Sequence, residues 1–181
     1  MDGKRCYIHR ISRVQNLTLW KYYALKKIEM LHENDGIDVN EEKLFHGTQS
    51  HCVEAISRKG FDWRVCGKHG TLYGEGCYFA RNARYSHDYT DYHTYKQQKR
   101  AKNLLKMFLS KVLVGKSTGG QRGFRKPPPL FPESDAMGRC YDSCVDDIFD
   151  PKIWVIFDSH QSYPEYLVEY TSSELMDYSC V

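Results

Sequence analysis

The spacing of hydrophobic positions near the start of the chain predicts a strand and then a helix. Residues 6–13 partly alternate between apolar and polar side chains, which is typical of a strand. Asn16 can cap a helix, and apolar residues follow it at spacings of three and four. This stripe consists of Leu17, Trp20, Ala24, Ile28 and Leu31. We expect that face to pack on the rest of the domain, and the turn signal at residues 34–36 to end the helix.

The rest of the chain predicts short strands separated by irregular segments. Its β-branched and aromatic runs indicate further strands at residues 43–47, 77–80, 104–114, 153–157 and 166–170. Since the helices fall mostly early in the chain and do not alternate with the strands, the predicted class is α+β.

Two short helices and three loops complete this pattern. Ser50 can cap a helix that ends at Gly60, with Val53 and Ile56 on its inner face. One or two helical turns are expected at residues 82–89. The predicted loops are a glycine-rich lid at 64–76, a solvated insertion at 92–103 and a long connection at 117–139.

Size and charge narrow the function classes. A chain of 181 residues with 41% hydrophobic and 14% aromatic content suits one domain. We assign residues 1–171 to it, with 1–40 as an N-terminal strand and helix, and 172–181 as a tail. The balance of 26 basic and 23 acidic residues gives no indication of nucleic-acid binding. The basic stretch at residues 92–106 is better interpreted as a solvated face than as an RNA contact.

The cysteines and the apolar runs bear on the compartment. The seven cysteines are odd in number and lack the spacing of a disulfide framework, which favours reduced thiols. No apolar run has the length of a signal peptide core or of a membrane span. We therefore expect an intracellular protein of the nucleus and/or cytoplasm, with no membrane partner.

A metal site is the less favoured interpretation of the cysteines and histidines. The candidate ligands are Cys66, His69, Cys77, His87 and His93, or the pair Cys140 and Cys144. Their spacing matches no common zinc pattern, so no metal cofactor is predicted.

Two segments carry the candidate chemistry. In the first, Gly47 follows His46, so a ring nitrogen and an unobstructed backbone edge can face one ligand. In the second, Gly74 and Gly76 bracket a turn into a strand that carries Tyr78. One segment offers hydrogen bonds and the other an aromatic face, a combination that suits an NAD pocket. The alternative for His46 alone is a hydrogen-bonded core histidine.

The chain resembles the catalytic domain of the poly(ADP-ribose) polymerases, most closely the mono-ADP-ribosylating branch. Beyond the two segments, the resemblance extends over residues 61–64, 85–87, 107–115, 141–145, 151–157 and 163–166. It implies the diphtheria-toxin-like ADP-ribosyltransferase fold, with two packed, mostly antiparallel sheets, flanking helices and the ligand in the cleft between the sheets. It further implies NAD as the substrate and protein side chains as acceptors, including self-modification.

The resemblance also implies residue roles. His46 would hold a ribose hydroxyl of NAD, and the backbone of Gly47 would pair with the nicotinamide carboxamide. Tyr78 and Tyr89 would cover the two faces of the nicotinamide ring, and Ser86 would give its hydroxyl to the carboxamide. The lid would place His69 and Gly70 near the adenosine half.

Ile153 stands where polymer-forming members of the family carry a glutamate. An isoleucine side chain can neither take a proton nor hydrogen-bond, so chain elongation would lack its general base. Glu165 belongs to the later Tyr-Pro-Glu-Tyr segment and does not replace that glutamate. The resemblance therefore implies transfer of single ADP-ribose units, with His46, Tyr78 and Ile153 at the catalytic positions. The alternative is an inactive domain that only binds NAD, ADP-ribose or partner proteins.

Overall fold

The computed structural model describes residues 5–34, 36, 38–64, 71–97, 104–131 and 138–173. The strands in this part are β1 Cys6–Arg13, β2 Glu41–Thr48, β3 Cys77–Ala80, β4 Leu105–Leu113, β5 Ser117–Gly119, β6 Ser143–Val145, β7 Ile153–Ile156 and β8 Ser162–Ser172. The α-helices are α1 Leu17–Glu33, α2 Val53–Lys59, α3 Ala83–His87 and α4 Tyr92–Gln97. The predicted α+β class is confirmed.

The strands form one eight-stranded sheet in the order β1-β8-β4-β2-β3-β7-β6-β5. Neighbouring strands run antiparallel except β5 and β6, which are parallel. We expected two packed sheets, and the structure instead has one continuous hydrogen-bonded series. The shortest pairing in this sheet is between β2 and β3, where Phe45 opposite Ala80 is the one pair in register among the described residues. Two well-paired halves are therefore joined at a narrow junction.

The main core cluster lies beside this junction and is rich in phenylalanine. Phe61 packs edge-on against Phe79 and Phe108, with ring centroids 5.0 and 5.9 Å apart. Val53 and Ile56 of α2 pack against the same cluster, as the sequence predicted. The left-handed Gly60, at φ 78°, ends α2 as expected. The core thus fixes α2 against the sheet where the two halves meet.

The predicted capping of α1 is confirmed, and its predicted inner face is partly right, since Leu31 packs on the core and Trp20 lies against Tyr163. The Asn16 side chain accepts a hydrogen bond from the Leu19 amide at 3.1 Å. However, Leu17 and Ile28 are 67% and 52% exposed, whereas Tyr23 and Met30 are buried. A tyrosine can bury its ring and keep a polar tip, so the face that packs inward looks less apolar in sequence than the one facing solvent.

Several other boundaries differ from expectation. Ser50 does not cap α2; residues Ser50–Cys52 form a short 3₁₀ turn that precedes it. The expected insertion at 92–103 begins instead with helix α4, in which Tyr92 is buried, while residues 98–103 lie outside the described part. The expected loop at 117–139 starts with β5, which pairs with β6. Strands of three residues are too short to show a hydrophobic period.

The remaining predicted strands are confirmed, and four of them have different lengths. β4 is one residue shorter at each end than the predicted 104–114. β2 and β8 extend beyond the predicted residues 43–47 and 166–170, and β7 ends at Ile156. Of the predicted tail, Ser172 is part of β8 and residues 174–181 lie outside the described part. Among the described helices none is long and apolar enough to cross a membrane.

Candidate active site

A cavity of about 500 Å³ opens where β2 and β3 separate, a size typical of ligand sites. Five residues singled out from the sequence line it: His46, Gly47, Tyr78, Ser86 and Tyr89. They come from β2, β3 and the α3 region, which the sheet junction brings together. The candidates His69 and Gly70 lie outside the described residues.

His46 links the two halves of the sheet through its side chain. Its Nδ1 lies 2.9 Å from the backbone oxygen of Tyr78. A carbonyl oxygen only accepts hydrogen bonds, so Nδ1 must carry the hydrogen, and Nε2 is left as an acceptor. Burial between Phe61 and Phe79 lowers the pKa of His46, although its bond to Tyr78 acts in the opposite direction. The imidazole is therefore neutral at physiological pH, with its acceptor nitrogen at Nε2.

Gly47 is the point where strand β2 leaves its neighbour. A Cβ at this position would overlap the backbone oxygen of Ser86, so no other residue fits without movement. The Phe45 carbonyl accepts the Ser86 hydroxyl, and peptide groups two residues apart point to the same side of a strand. The N–H and C=O of Gly47 therefore point to the side from which β3 has diverged. They form an open polar edge at the cavity.

The Ser86 hydroxyl makes a hydrogen bond of defined direction within the protein. The side chain is buried, and Oγ donates to the Phe45 oxygen at 3.0 Å. Its one hydrogen is used in that bond, so while the bond is kept Oγ serves a ligand as an acceptor.

Tyr78 is fixed by the chain that precedes it. Its hydroxyl donates to the Gly74 oxygen at 2.8 Å and accepts from the Tyr73 amide at 3.0 Å. Burial raises the pKa of Tyr78, so its hydroxyl stays protonated at neutral pH. Gly74 has φ 131°, and a Cβ there would lie 2.7 Å from the Phe157 ring. The turn at Gly74 thus sets the position of the Tyr78 ring.

The predicted lid at residues 66–75 is described only from residue 71 onward. Residues 124 and 125 of the segment after β5 contact this described end. The Glu75 amide donates to the Phe124 oxygen at 2.7 Å, and Arg125 pairs with the Glu75 carboxylate at 2.9 Å.

Ile153 shares the sheet face of Tyr78 but does not line the cavity in the described part of the chain. It pairs with Ala80 across β3 and β7, one alternate position from the pair of Tyr78 with Val155. Its side chain is 8% exposed, and its amide donates to Asp146 at 3.0 Å. Glu165 lies elsewhere, 3.5 Å from Lys43, and is not among the residues that line the cavity.

The sequence did not single out the wall formed by the 3₁₀ turn and α2, nor Tyr85. This wall contributes His51, Cys52 and Lys59 to the lining, and Asp62 follows just after it. Asp62 is paired with Arg64 at 2.8 Å, and Arg58 with Glu54 at 3.0 Å. No described carboxylate pairs with Lys59. The helical spacing of residues 52, 55, 56 and 59 could have indicated that they share one face. However, Val53 and Ile56 of the same helix contact the core, which favoured an interpretation as core packing.

The side chains of the described residues were also considered as ligands of a metal ion. Within them, no three His, Cys, Asp or Glu side chains are grouped so that they could hold a metal ion.

Replacing Gly47 with alanine tests the lack of space at the junction. We expect Gly47→Ala to lower the free energy of unfolding by about 3 kcal/mol or more, because the clash is with backbone. Gly119→Ala is the control, since its Cβ would meet only Ile148 at 3.9 Å; it should change stability by no more than about 0.5 kcal/mol. Urea denaturation and the yield of folded protein measure both. Equal stability of the two variants would contradict the geometry.

The lowered pKa of His46 predicts a specific loss of stability in acid. Above about pH 6.5 the imidazole is neutral in both states and has no effect. Below it, the unfolded chain binds a proton that the folded protein resists, so stability falls as the pH decreases, with a slope of up to about 1.4 kcal/mol per pH unit. Urea unfolding at pH 7.5, 6.5 and 5.5 should give a shallower slope for His46→Asn than for the wild type. The other histidines are common to both proteins, and identical slopes would rule out a lowered pKa.

The chain is similar to known proteins over most of its length. The poly(ADP-ribose) polymerase catalytic domain family matches residues 2–122. Protein mono-ADP-ribosyltransferase PARP12 of Homo sapiens is 47% identical over 167 residues, covering 92% of this chain and 22% of that protein. Protein mono-ADP-ribosyltransferase PARP11 of Homo sapiens is 41% identical over 182 residues, covering 94% of this chain and 52% of that protein.

A third relative is more distant. Protein mono-ADP-ribosyltransferase PARP14 of Homo sapiens is 36% identical over 163 residues, covering 90% of this chain and 9% of that protein. The chain spans about a fifth of the PARP12 protein and about half of PARP11. The matched region contains His46, Gly47, Tyr78, Ser86 and Tyr89. The chain belongs to the poly(ADP-ribose) polymerase catalytic domain family.

Proposed function

We propose that this chain is an NAD-dependent protein mono-ADP-ribosyltransferase. The observation that carries the proposal is the meeting of His46, Gly47, Tyr78, Ser86 and Tyr89 in one cavity with a defined pattern of donors and acceptors. Relatives named as mono-ADP-ribosyltransferases support it. We also infer the diphtheria-toxin-like fold, in which the two halves of the sheet take the place of two sheets.

The nicotinamide end of NAD fits the edge of β2. A carboxamide offers one oxygen acceptor and an NH₂ donor. The Gly47 amide can donate to that oxygen, while the Gly47 carbonyl and Ser86 Oγ can accept from the NH₂ group. Tyr78 and Tyr89 then cover the ring faces, at about 0.5–1.5 kcal/mol per aromatic contact beyond burial. The lid residues His69 and Gly70 are assigned to the adenosine half by family resemblance.

His46 supplies the acceptor for a sugar hydroxyl. Its Nε2 carries a lone pair because Nδ1 donates to Tyr78. A ribose hydroxyl of NAD can donate to that nitrogen, which fixes the sugar relative to the stacked ring. Holding both the ring and the sugar is what positions the bond between them.

The reaction is a substitution at the ribose C1″ carbon. The bond from C1″ to the nicotinamide nitrogen breaks, and its electron pair neutralises the positively charged ring. The oxocarbenium-like carbon then takes an electron pair from a side chain of an acceptor protein, or of this protein itself. An acceptor that is already anionic, such as a carboxylate or thiolate, needs no base.

Ile153 is the reason to propose single additions. A second unit would require a ribose hydroxyl to lose its proton, and general-base help with this is worth about 10²–10⁴-fold. Ile153 cannot provide it, and Glu165 does not line the cavity.

The α2 wall suits the anionic half of NAD. Lys59 lines the cavity without a described carboxylate partner, so its charge is available to the diphosphate. The cysteine pattern supports our assignment of the protein to the nucleus and/or cytoplasm. NAD and acceptor proteins are the proposed partners.

Incubation with labelled NAD tests the activity. We expect label to be incorporated into the protein itself or an added acceptor, and intact mass to show single ADP-ribose additions at each site after prolonged reaction. His46→Ala and Tyr89→Ala should lower the rate, as should a nicotinamide competitor. The absence of any label would favour the binding-only alternative. A ladder cleaved by a poly(ADP-ribose) glycohydrolase would contradict the role of Ile153.

Substitution of two adjacent basic residues, Lys59 and Arg58, tests the orientation in which NAD is proposed to bind. Lys59→Gln should weaken binding of NAD and ADP-ribose by about threefold or more, because a charge-assisted contact to phosphate is worth on the order of 1 kcal/mol. It should leave nicotinamide binding unchanged. Arg58→Gln is the matched control, since Arg58 pairs with Glu54 and does not line the cavity. Equal effects of the two variants in calorimetry would overturn the proposed orientation.

A further inference from the structure

The Tyr89 ring sits at an exposed rim of the cavity and needs support to hold one orientation. It is 36% exposed and lies two residues beyond the end of α3. An exposed tyrosine retains side-chain freedom that a ligand would have to remove on binding. A ring that must stack on a ligand therefore gains from a partner that fixes it beforehand.

Tyr85 is placed to provide that support. The Tyr89 hydroxyl donates to the Tyr85 hydroxyl at 3.0 Å, and the two rings lie 5.2 Å apart at an interplanar angle of 43°. The residues are four apart in sequence, the spacing at which side chains meet on a helical surface. Tyr85 also lines the cavity.

The base of Tyr85 is itself well fixed. Asn82 caps α3 by accepting from the Arg84 amide at 2.9 Å, and the Tyr85 amide donates to the Asn82 oxygen at 3.1 Å. One residue later, Ser86 is bonded to Phe45 of β2. Tyr85 is thus held between a helix cap and a sheet contact, whereas Tyr89 depends on Tyr85.

The direction of the bond leaves one hydrogen for a ligand. A hydroxyl has one hydrogen and two acceptor positions, and Tyr85 uses an acceptor position toward Tyr89. Burial and the contact with Tyr89 raise the pKa of Tyr85, so it keeps its proton. No other hydrogen bond of the Tyr85 hydroxyl occurs within the described residues, so its hydrogen can turn toward an acceptor atom in the cavity.

We propose that Tyr85 is a positioning residue of the nicotinamide subsite, whose hydroxyl holds the Tyr89 ring in the orientation that stacks on the ligand. This inference rests on the proposed function, in which Tyr89 covers one face of the nicotinamide ring. It adds a supporting tyrosine four residues before the stacking residue.

A double-mutant cycle tests the pair, with nicotinamide as the probe ligand. Tyr85→Phe and Tyr89→Phe each remove the same hydrogen bond and keep both rings. Each should weaken nicotinamide binding by about two- to tenfold, and the double variant should lose no more than Tyr85→Phe alone. In the transferase assay Tyr85→Phe should raise KM for NAD more than it lowers kcat, with little change in melting temperature.

The control separates positioning from stability. Tyr163→Phe removes a hydroxyl that donates to the Val14 oxygen at 2.9 Å, away from the cavity. It should lower the melting temperature and leave nicotinamide affinity unchanged.

The outcomes that overturn the inference differ from those that overturn the proposed function. Unchanged affinity in Tyr85→Phe, or losses that multiply in the double variant, would show that the hydroxyl pair does not position the ring. If Tyr89→Ala binds nicotinamide as well as the wild type does, the nicotinamide subsite itself is misassigned and the inference fails with it.

Discussion

The separation of β2 from β3 is the constraint on which the site depends. Among the described residues, the two strands are in register only at Phe45 and Ala80, and beyond that pair their backbones diverge. The hydrogen bond that a continuous ladder would make there is replaced by one from the His46 ring to Tyr78. The same divergence opens the cavity, exposes the Gly47 edge and fixes the tautomer of the histidine. A tighter junction would give a better sheet without a binding site.

Most polar groups of the cavity have their hydrogen bonds arranged before any ligand is bound. Ser86 is committed as an acceptor by Phe45, and Tyr78 is tied to Tyr73 and Gly74. Such preorganisation lowers the cost of ordering side chains upon binding. It also gives the cavity a fixed arrangement of donors and acceptors, so that in the proposed function a carboxamide would fit in one orientation and not in the reverse one.

The sequence allowed the site to be predicted better than the packing around it. His46, Gly47 and Tyr78 could be located because glycines beside functional side chains mark close backbone approach, and the structure brings them together. The inner face of α1 was only partly predicted, because the buried Tyr23 and Met30 lie off the apolar stripe, while Leu17 and Ile28 on that stripe face outward. β5 and β6 are held by pairing between distant segments, which no local pattern records. Tyr85 lay within the resemblance but received no role, because its contact with the Tyr89 hydroxyl depends on side-chain positions that the sequence does not give.

The Asn16 side chain has a consequence for the extent of the catalytic unit. Besides capping α1, its amide donates to the backbone oxygens of Ser57 and Arg58 at 3.1 and 3.0 Å. These carbonyls belong to the last turn of α2, which would otherwise lack intrahelical partners. One side chain thus ends one helix and begins another. The smallest fragment able to keep the α2 wall in place must therefore include Asn16, and β1 belongs to the same folded unit because it pairs with β8.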